Sequence, residues 1–494
     1  MAAPIDDPPP HSSALPTDPG TGHPPYGETR PGSPAAVDEV APLPRAPGAW
    51  PLLGHAPALL RDPLKFLSSL PAHGDLVRIT LGPVDAVVVC RLDLARQMIG
   101  DERVFDKEGA LWRRVREVEG DGGLVCARRA EHRPLRRLAQ PAFRRTRLPG
   151  YATIFGRYLA HVAGSWSDGQ ILDVPAAALR ISCEAMTRTL FPASTSRGSL
   201  AEIRQALPAM VRGIFRRMIT PPPLDRLPTP ANRAYHRTER RLHDITTQAV
   251  RDYRRAGLDH GDMLSILLAN NSLTPSGTGR PRTDRELGEL VASLFLAGAE
   301  TTSAALSWAL HLLAEHPDVQ DRVADESRRI LRGRAATGED LPQLRYASAV
   351  VSETLRLYPP AWLLTRHTTA DTRLGGHHLA AGTTIIYSPY LIHRLPAHYP
   401  DPDTFRPERF LAPSGVPKPP SPKNFLAFGD GARRCIGDQF ATIELILALA
   451  TITGRWHLHP VPGRQVRPLA RTALHPHHLS LRLSRRGQPP PARP

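Results

Sequence analysis

The longest continuous helical pattern in this chain spans residues 283 to about 316, and it constrains the fold more than any other segment. Thr283 and Glu286 form the capping box that typically starts a helix. At ~1.5 Å per residue such a helix is ~50 Å long, the width of a whole domain. Glu300 and His311 interrupt its apolar run. We therefore expect a buried central helix rather than a membrane span.

The remaining pattern predicts one large domain that is mainly α with smaller β regions near both ends. Residues 1–41 are rich in proline and polar residues, which favours a flexible tail. Residues 42–484 form the predicted domain, and residues 485–494 form a basic, proline-rich C-terminal tail. Two short apolar runs, Leu76–Leu81 and Ala86–Val89, predict a β-hairpin.

Charge and cysteine content narrow the class of protein. The formal charge is +16, but the basic residues are scattered and match no nucleic-acid-binding motif, so we expect no nucleic-acid partner. The chain has only 4 cysteines, spaced neither as a zinc site nor as a disulfide framework. With no N-terminal signal pattern and no membrane span in the sequence, a cytoplasmic location without a transmembrane anchor is expected.

The segment from Phe428 to Gly437 carries the most chemistry. Its glycines allow the backbone to approach a flat group closely. Cys435 directly precedes a predicted helix, whose dipole and free N–H groups favour a thiolate, and Arg433 adds positive charge. Three interpretations follow: a metal ligand, a nucleophile with His132 or another histidine as its base, or an inert buried cysteine.

The pattern of this segment resembles the haem-binding loop of the cytochrome P450 family, Phe-x-x-Gly-x-Arg-x-Cys-x-Gly. Glu353-Thr354-Leu355-Arg356 is similar to the family's Glu-x-x-Arg element, and Pro407-Glu408-Arg409-Phe410 to the element that follows it. The resemblance covers roughly residues 42 to 484. It implies a helix-rich triangular prism with haem b held between a long central helix and the helix after the cysteine loop. Cys435 is then the axial metal ligand.

The resemblance also implies roles for individual residues. Glu300 and Thr301 would be catalytic, relaying protons and bonding the bound dioxygen. Glu353, Arg356 and Arg409 would form a structural network near the haem loop. His393 is a possible further contact to the haem propionates. The predicted cofactor-binding residues are His132, Arg136, Arg366, Phe428, Gly429, Arg433, Cys435 and Gly437.

The implied function is a haem-thiolate monooxygenase that inserts one oxygen atom of O2 into an apolar small molecule, a terpenoid or another secondary metabolite. Cysteine ligation favours O–O cleavage. A fatty-acid or macrolide hydroxylase, or a non-catalytic haem-thiolate binding or sensor protein, is the alternative. The intact Glu300–Thr301 pair argues against a sensor.

Electrons would come from a ferredoxin or flavodoxin with a separate NAD(P)H reductase. Such carriers are acidic, so a basic docking face is expected from Arg136, Arg137, Arg433 and Arg434. A further group of histidines near the C-terminus predicts solvated surface residues rather than a metal site: His457, His459, His475, His477 and His478.

Overall fold

The computed structural model describes residues 42–190 except 121, residues 227–273 except 258, and residues 280–487 except 419, 422, 423 and 464, together with 202, 210, 213–217 and 220. The predicted tail at 1–41 and most of the predicted C-terminal tail lie outside the described residues. From Pro42 onward the chain forms one compact unit.

Helices dominate the described residues. They are α1 (Ala56–Arg61), α2 (Pro63–Ser69), α3 (Leu92–Gly100), α4 (Gly109–Glu119), α5 (Arg129–Ala139), α6 (Leu148–Gly164), α7 (Val174–Leu190), α8 (Pro230–Ala256), α9 (Met263–Leu273), α10 (Asp284–Glu315), α11 (Pro317–Leu331), α12 (Arg345–Leu357), α13 (Pro389–Ile392) and α14 (Asp438–Arg455). Short 3₁₀ helices span Leu70–His73, Gln140–Phe143, Gly338–Asp340, Pro407–Phe410 and Gly431–Arg433.

The strands are short. They are β1 (Leu76–Leu81), β2 (Val84–Val89), β3 (Phe105–Asp106), β4 (Ile171–Asp173), β5 (Leu364–Thr368), β6 (Thr372–Leu374), β7 (His377–Leu379), β8 (Thr384–Tyr387), β9 (Trp456–Pro460), β10 (Arg467–Ala470), β11 (Leu474–His477) and β12 (Ser480–Arg485). The mainly α fold with smaller β regions is therefore confirmed.

The central helix α10 matches its prediction closely. Thr283 caps it, and both hydrogen bonds of the capping box with Glu286 are present. The helix ends at Glu315, before Pro317 begins α11. It is long and apolar enough to cross a membrane, but 78% of its apolar window is buried within the protein. It is thus a core helix, in contact with α7, α8 and α14.

The largest sheet joins distant parts of the chain in the order β1-β2-β8-β5-β3. The predicted hairpin of β1 and β2 is confirmed, with Leu81 paired to Val84 across its turn. β2 pairs with β8 in parallel, and the other neighbours are antiparallel. Two further pairs, β10-β11 and β6-β7, and the sheet β4-β12-β9 complete the strands.

Apolar side chains form two buried clusters. The larger one surrounds α10 and includes Trp456 and Phe155, both about 1% exposed or less. The smaller one includes β-branched residues of the five-stranded sheet, such as Ile79 and Val88, together with leucines from neighbouring segments. The loop that carries Cys435 leads into α14, which packs against α10 and the larger cluster.

Candidate functional site

The loop that ends at Cys435 is closed by its own backbone. The N–H of Cys435 donates a 2.8 Å hydrogen bond to the carbonyl oxygen of Phe428. Gly429 and Gly431 adopt φ values of +69° and +64°, in the left-handed region that side chains disfavour. This conformation accounts for glycine at both positions. Gly437 instead has a negative φ and is the residue that precedes the first turn of α14.

The electrostatics of Cys435 differ from the prediction. Burial raises the pKa of its thiol to about 11, although the N–H of Gly437 and the charges of Arg136 and Arg434 act in the opposite direction. The backbone N–H at the helix terminus thus favours the thiolate, as expected, but for the free thiol desolvation is the larger effect. A free thiol of this kind is a poor nucleophile at neutral pH, whereas a metal ion deprotonates a coordinating thiol outright.

Cys435 keeps an exposed surface even though surrounding atoms desolvate its sulfur. The middle of α10 behaves in the same way: Ala297, Gly298, Glu300 and Thr301 are partly exposed while the helix on either side is buried. Both segments are therefore less completely covered by the protein than the chain around them.

Several basic side chains lie around His132. Burial, followed by the charges of Arg433, Lys107, Arg136 and Arg366, lowers the pKa of this buried imidazole to about 3. Such a histidine is a poor base at neutral pH, which disfavours the nucleophile interpretation of Cys435. The structure thus brings the predicted cofactor-binding cations together and adds Lys107, which the sequence had not singled out.

Within this cationic cluster, Arg366 has no anionic partner among the described residues. Arg366 is 4% exposed and donates to its neighbour's carbonyl, that of Thr365, at 2.9 Å. In the part of the chain that the structure describes, no carboxylate pairs with Arg366, and Nδ1 of His132 has no hydrogen-bond partner. A buried cation without an anion is costly. The two propionates of a haem would supply the missing charge, so these residues fit that cofactor.

Arg433 does not fit the predicted docking face. Its side chain is 3% exposed, and it donates to Oδ1 of Asp106 at 2.5 Å and to the carbonyl of Ala127 at 2.5 Å. Arg433 is therefore not part of a docking face, because it is buried and paired. Asp106 and Glu102, which lies 3.6 Å from Arg433, were missed because no local motif marks them. Arg137 is exposed, and Arg434 is partly exposed.

The two predicted catalytic residues of α10 are both hydrogen-bonded. The hydroxyl of Thr301 donates to the carbonyl of Ala297 at 2.7 Å, so it retains only acceptor capacity for another group. Oε1 of Glu300 accepts a hydrogen bond from Oγ1 of Thr472. Nε2 of His475 lies 3.7 Å from the same oxygen. The predicted solvated surface position of His475 is therefore wrong, since its side chain is only 22% exposed and faces Glu300.

Gly298 permits close packing of two helices. A Cβ atom at this position would lie 2.7 Å from Sδ of Met186 on α7. The absence of a side chain at Gly298 therefore brings α7 and α10 together, which offsets the ~1 kcal/mol that glycine costs inside a helix.

Glu353, Arg356 and Arg409 form a buried ionic network. Arg356 makes two hydrogen bonds with the Glu353 carboxylate, at 2.7 and 2.8 Å, and both side chains are 0% exposed. Nε of Arg409 lies 3.3 Å from Oε1 of Glu353. Arg356 also donates to the carbonyls of His393 and Pro402, at 3.0 and 2.6 Å. The network thus fixes the irregular segment after α13.

The possible role of His393 as a propionate contact is wrong. Its Nε2 accepts a 2.7 Å hydrogen bond from the N–H of Leu426, and its Nδ1 bonds the carbonyl of Arg356 at 3.0 Å. Both ring nitrogens are therefore occupied by backbone groups. His393 instead links α12 to the start of the Cys435 loop.

The family model described as cytochrome P450 matches residues 44–483. Pentalenene oxygenase of Streptomyces avermitilis is 40% identical over 444 residues, which cover 89% of this chain and 97% of that protein. Cyclooctat-9-en-7-ol 5-monooxygenase of Streptomyces melanosporofaciens is 42% identical over 419 residues, 85% of this chain and 90% of that protein. Cyclooctatin synthase of the same organism is 40% identical over 431 residues, 87% of this chain and 93% of that protein.

Proposed function

Because this chain belongs to the cytochrome P450 family, we propose that it is a haem-thiolate monooxygenase that oxidises a terpenoid. The names of the three Streptomyces relatives, two of them an oxygenase and a monooxygenase, support a terpenoid secondary metabolite as the substrate class. The family implies a haem-iron cofactor, and we assign haem b. The observation that carries the proposal is the cluster of His132, Arg136 and Arg366 close to Cys435. Within this cluster the buried Arg366 has no carboxylate partner among the described residues.

In this function Cys435 would bind the haem iron, and His132, Arg136, Arg366 and the Asp106-paired Arg433 would hold the propionates of the cofactor. When bound, the haem supplies the activation of dioxygen, and thiolate ligation favours O–O cleavage. The free thiol is protonated at neutral pH, so its proton leaves when the metal binds.

The side chains on α10 handle protons. Monooxygenation consumes two protons per dioxygen, because one oxygen atom enters the product and the other leaves as water. Glu300 can donate and accept a proton beside Thr301, whose hydroxyl is oriented by the carbonyl of Ala297.

Electrons would come from a ferredoxin or flavodoxin, reduced by its own NAD(P)H reductase, in the cytoplasm. With Arg433 buried, the proposed basic face for such an acidic carrier consists of Arg137, Arg434 and the partly exposed Arg136. Arg434→Glu should slow reduction by the carrier while leaving reduction by dithionite unchanged. Equal effects on both would exclude this docking face.

The first experiment is the carbon-monoxide difference spectrum of the dithionite-reduced protein. A Soret band at the long-wavelength position of thiolate-ligated haem supports the proposal, and Cys435→Ser should abolish that band. Cys90→Ser serves as the matched control, because Cys90 is a buried free cysteine without a proposed role. Haem with a Soret band at the shorter, non-thiolate position, or no haem after supplementation, would overturn the proposal.

The substrate class has its own test. Terpene hydrocarbons, fatty acids and macrolides would be titrated into the ferric protein, and displacement of water from the iron would be followed as a spin-state shift. A shift confined to terpenes supports the proposed class, whereas a shift with fatty acids or macrolides favours the alternative hydroxylases. Binding without turnover, with a competent carrier present, would favour a sensor.

A further inference from the structure

The carboxyl group of Glu300 is held on one side only. Oε1 accepts the hydrogen bond of Thr472, and the same oxygen faces Nε2 of His475 at 3.7 Å. Oε2 makes no hydrogen bond to any part of the chain that the structure describes. One oxygen is thus anchored, while the other is available to exchange a proton.

The two partners of Glu300 come from the hairpin of β10 and β11, which is itself fixed to the fold. The indole N–H of Trp308 on α10 donates to the carbonyl of Leu474 at 2.9 Å. The N–H of Leu474 donates to the carbonyl of Pro360 at 3.0 Å. The indole of Trp362 donates to the carbonyl of Arg471 at 2.8 Å. The turn that bears Thr472 is therefore anchored on both sides by three hydrogen bonds, one of which joins it to α10.

The contacts of Glu300 with Thr472 and His475 lie in a largely buried environment. The side chain of Glu300 is 13% exposed and that of His475 is 22% exposed, so both are largely withdrawn from water. Among the described residues, His475 is the one basic side chain within salt-bridge distance of the Glu300 carboxylate. A carboxyl group that is largely withdrawn from water depends on its hydrogen-bonding partners to hold it in one position rather than several.

We propose that Thr472 and His475 are positioning residues that hold the Glu300 carboxyl by Oε1 and leave Oε2 to deliver protons during oxygen activation. This inference rests on the proposed monooxygenase function. Each proton that leaves Oε2 is replaced from solvent, so Glu300 returns to its starting state. Without this positioning, dioxygen takes two electrons and two protons and leaves as hydrogen peroxide, instead of being reduced to water or split between product and water.

The test uses the haem-loaded enzyme with a surrogate ferredoxin and reductase, and it needs no organic substrate. NADPH consumed, dioxygen consumed and hydrogen peroxide formed would be measured together, in H2O and in D2O. Thr472→Val and His475→Gln should increase the share of dioxygen released as peroxide by about 3- to 10-fold and raise the solvent isotope effect. Thr472→Ser, which keeps the hydroxyl, should behave like the wild type.

His477→Gln is the matched control, because His477 lies on the same strand but is exposed. Peroxide yields of Thr472→Val and His475→Gln equal to those of His477→Gln would overturn the inference. So would equal impairment of Thr472→Val and Thr472→Ser, which would indicate only a packing role. The carbon-monoxide spectrum of the wild type distinguishes failure of the proposed function from failure of this inference. Loss of the thiolate signature refutes the proposed function, whereas an intact signature with unaffected variants refutes only this inference.

A second readout is independent of turnover. The free energies of unfolding of Glu300→Gln, Thr472→Val and the double variant should be non-additive, because the two side chains share one hydrogen bond. Glu300→Gln combined with His477→Gln should be additive. Additivity of the Glu300 and Thr472 pair would contradict the proposed contact.

Discussion

The hydroxyl of Ser182 on α7 donates a 2.8 Å hydrogen bond to Oε1 of Glu444 on α14, and the second oxygen of that carboxyl has no partner among the described residues. Burial raises the pKa of Glu444 to about 8. This acid is therefore held as a neutral hydrogen-bonding group between two helices of the core, rather than as an anion.

Stability should depend on pH through Glu444. Between pH 4.5 and 8 the unfolded chain has lost this proton and the folded chain retains it, so the folded state is favoured less as pH rises. The slope approaches about 1.4 kcal/mol per pH unit. Glu444→Gln should remove this contribution and gain stability relative to wild type as pH rises towards 8. Denaturant unfolding at several pH values measures the difference, and the exposed control Glu339→Gln should show none.

Removal of the Arg366 guanidinium should affect the two forms of the protein in opposite directions. In the haem-loaded protein, Arg366→Leu should lower the haem content and speed haem loss to an acceptor protein, since a propionate loses its cation. In haem-free protein the same change should raise the unfolding midpoint, because an unpaired buried charge is removed. Arg373→Leu, at an exposed position of β6, controls for loss of an arginine. A change in the same direction in the haem-loaded and the haem-free protein would contradict the role of Arg366.

The Glu353–Arg356 pair should be far more important for stability than a surface pair. Glu353→Gln leaves two buried arginine side chains without their carboxylate, and a loss of about 3–5 kcal/mol is expected. The matched control is Glu408→Gln, which breaks the exposed pair between Arg322 and Glu408. That change should cost less than about 1 kcal/mol. Urea denaturation compares the two, and similar losses would show that the buried network is not structural.

Two helical glycines should respond differently to alanine. A Cβ at Gly156 would lie 1.7 Å from the backbone oxygen of Ala336, which cannot move without the chain. A Cβ at Gly298 would meet the thioether of Met186, which is flexible. Gly156→Ala should therefore lower the midpoint of thermal unfolding strongly, and Gly298→Ala only slightly. Met186→Ala combined with Gly298→Ala should relieve the second clash, and a larger effect at Gly298 would refute this ranking.

Local patterns predicted the elements that depend on neighbouring residues. The capping box at Thr283 places the start of α10, and the alternating runs place β1 and β2, because capping and strand alternation act over a few residues. A helix directly after Cys435 was likewise expected, and α14 begins at Asp438.

What the sequence could not predict depends on contacts between distant segments. Arg433 pairs with Asp106 across 327 positions, and Glu300 meets Thr472 across 172. His393 resembles an available ligand in the sequence, but backbone groups occupy both of its nitrogens. The helix N–H and the arginines lower the pKa of Cys435 as expected, but the larger effect of desolvation was not predicted, because it depends on the complete fold.

The pairing of Arg433 with Asp106 has a consequence for how the protein is made. A ribosome releases Asp106 early and Arg433 only after a further 327 positions, so the emerging chain cannot neutralise this carboxylate for most of its synthesis. Contacts of such long range form late and slowly. A fragment that stops before the Cys435 loop therefore lacks Arg433 and Cys435, so assembly of the cofactor site has to wait for the synthesis of this loop.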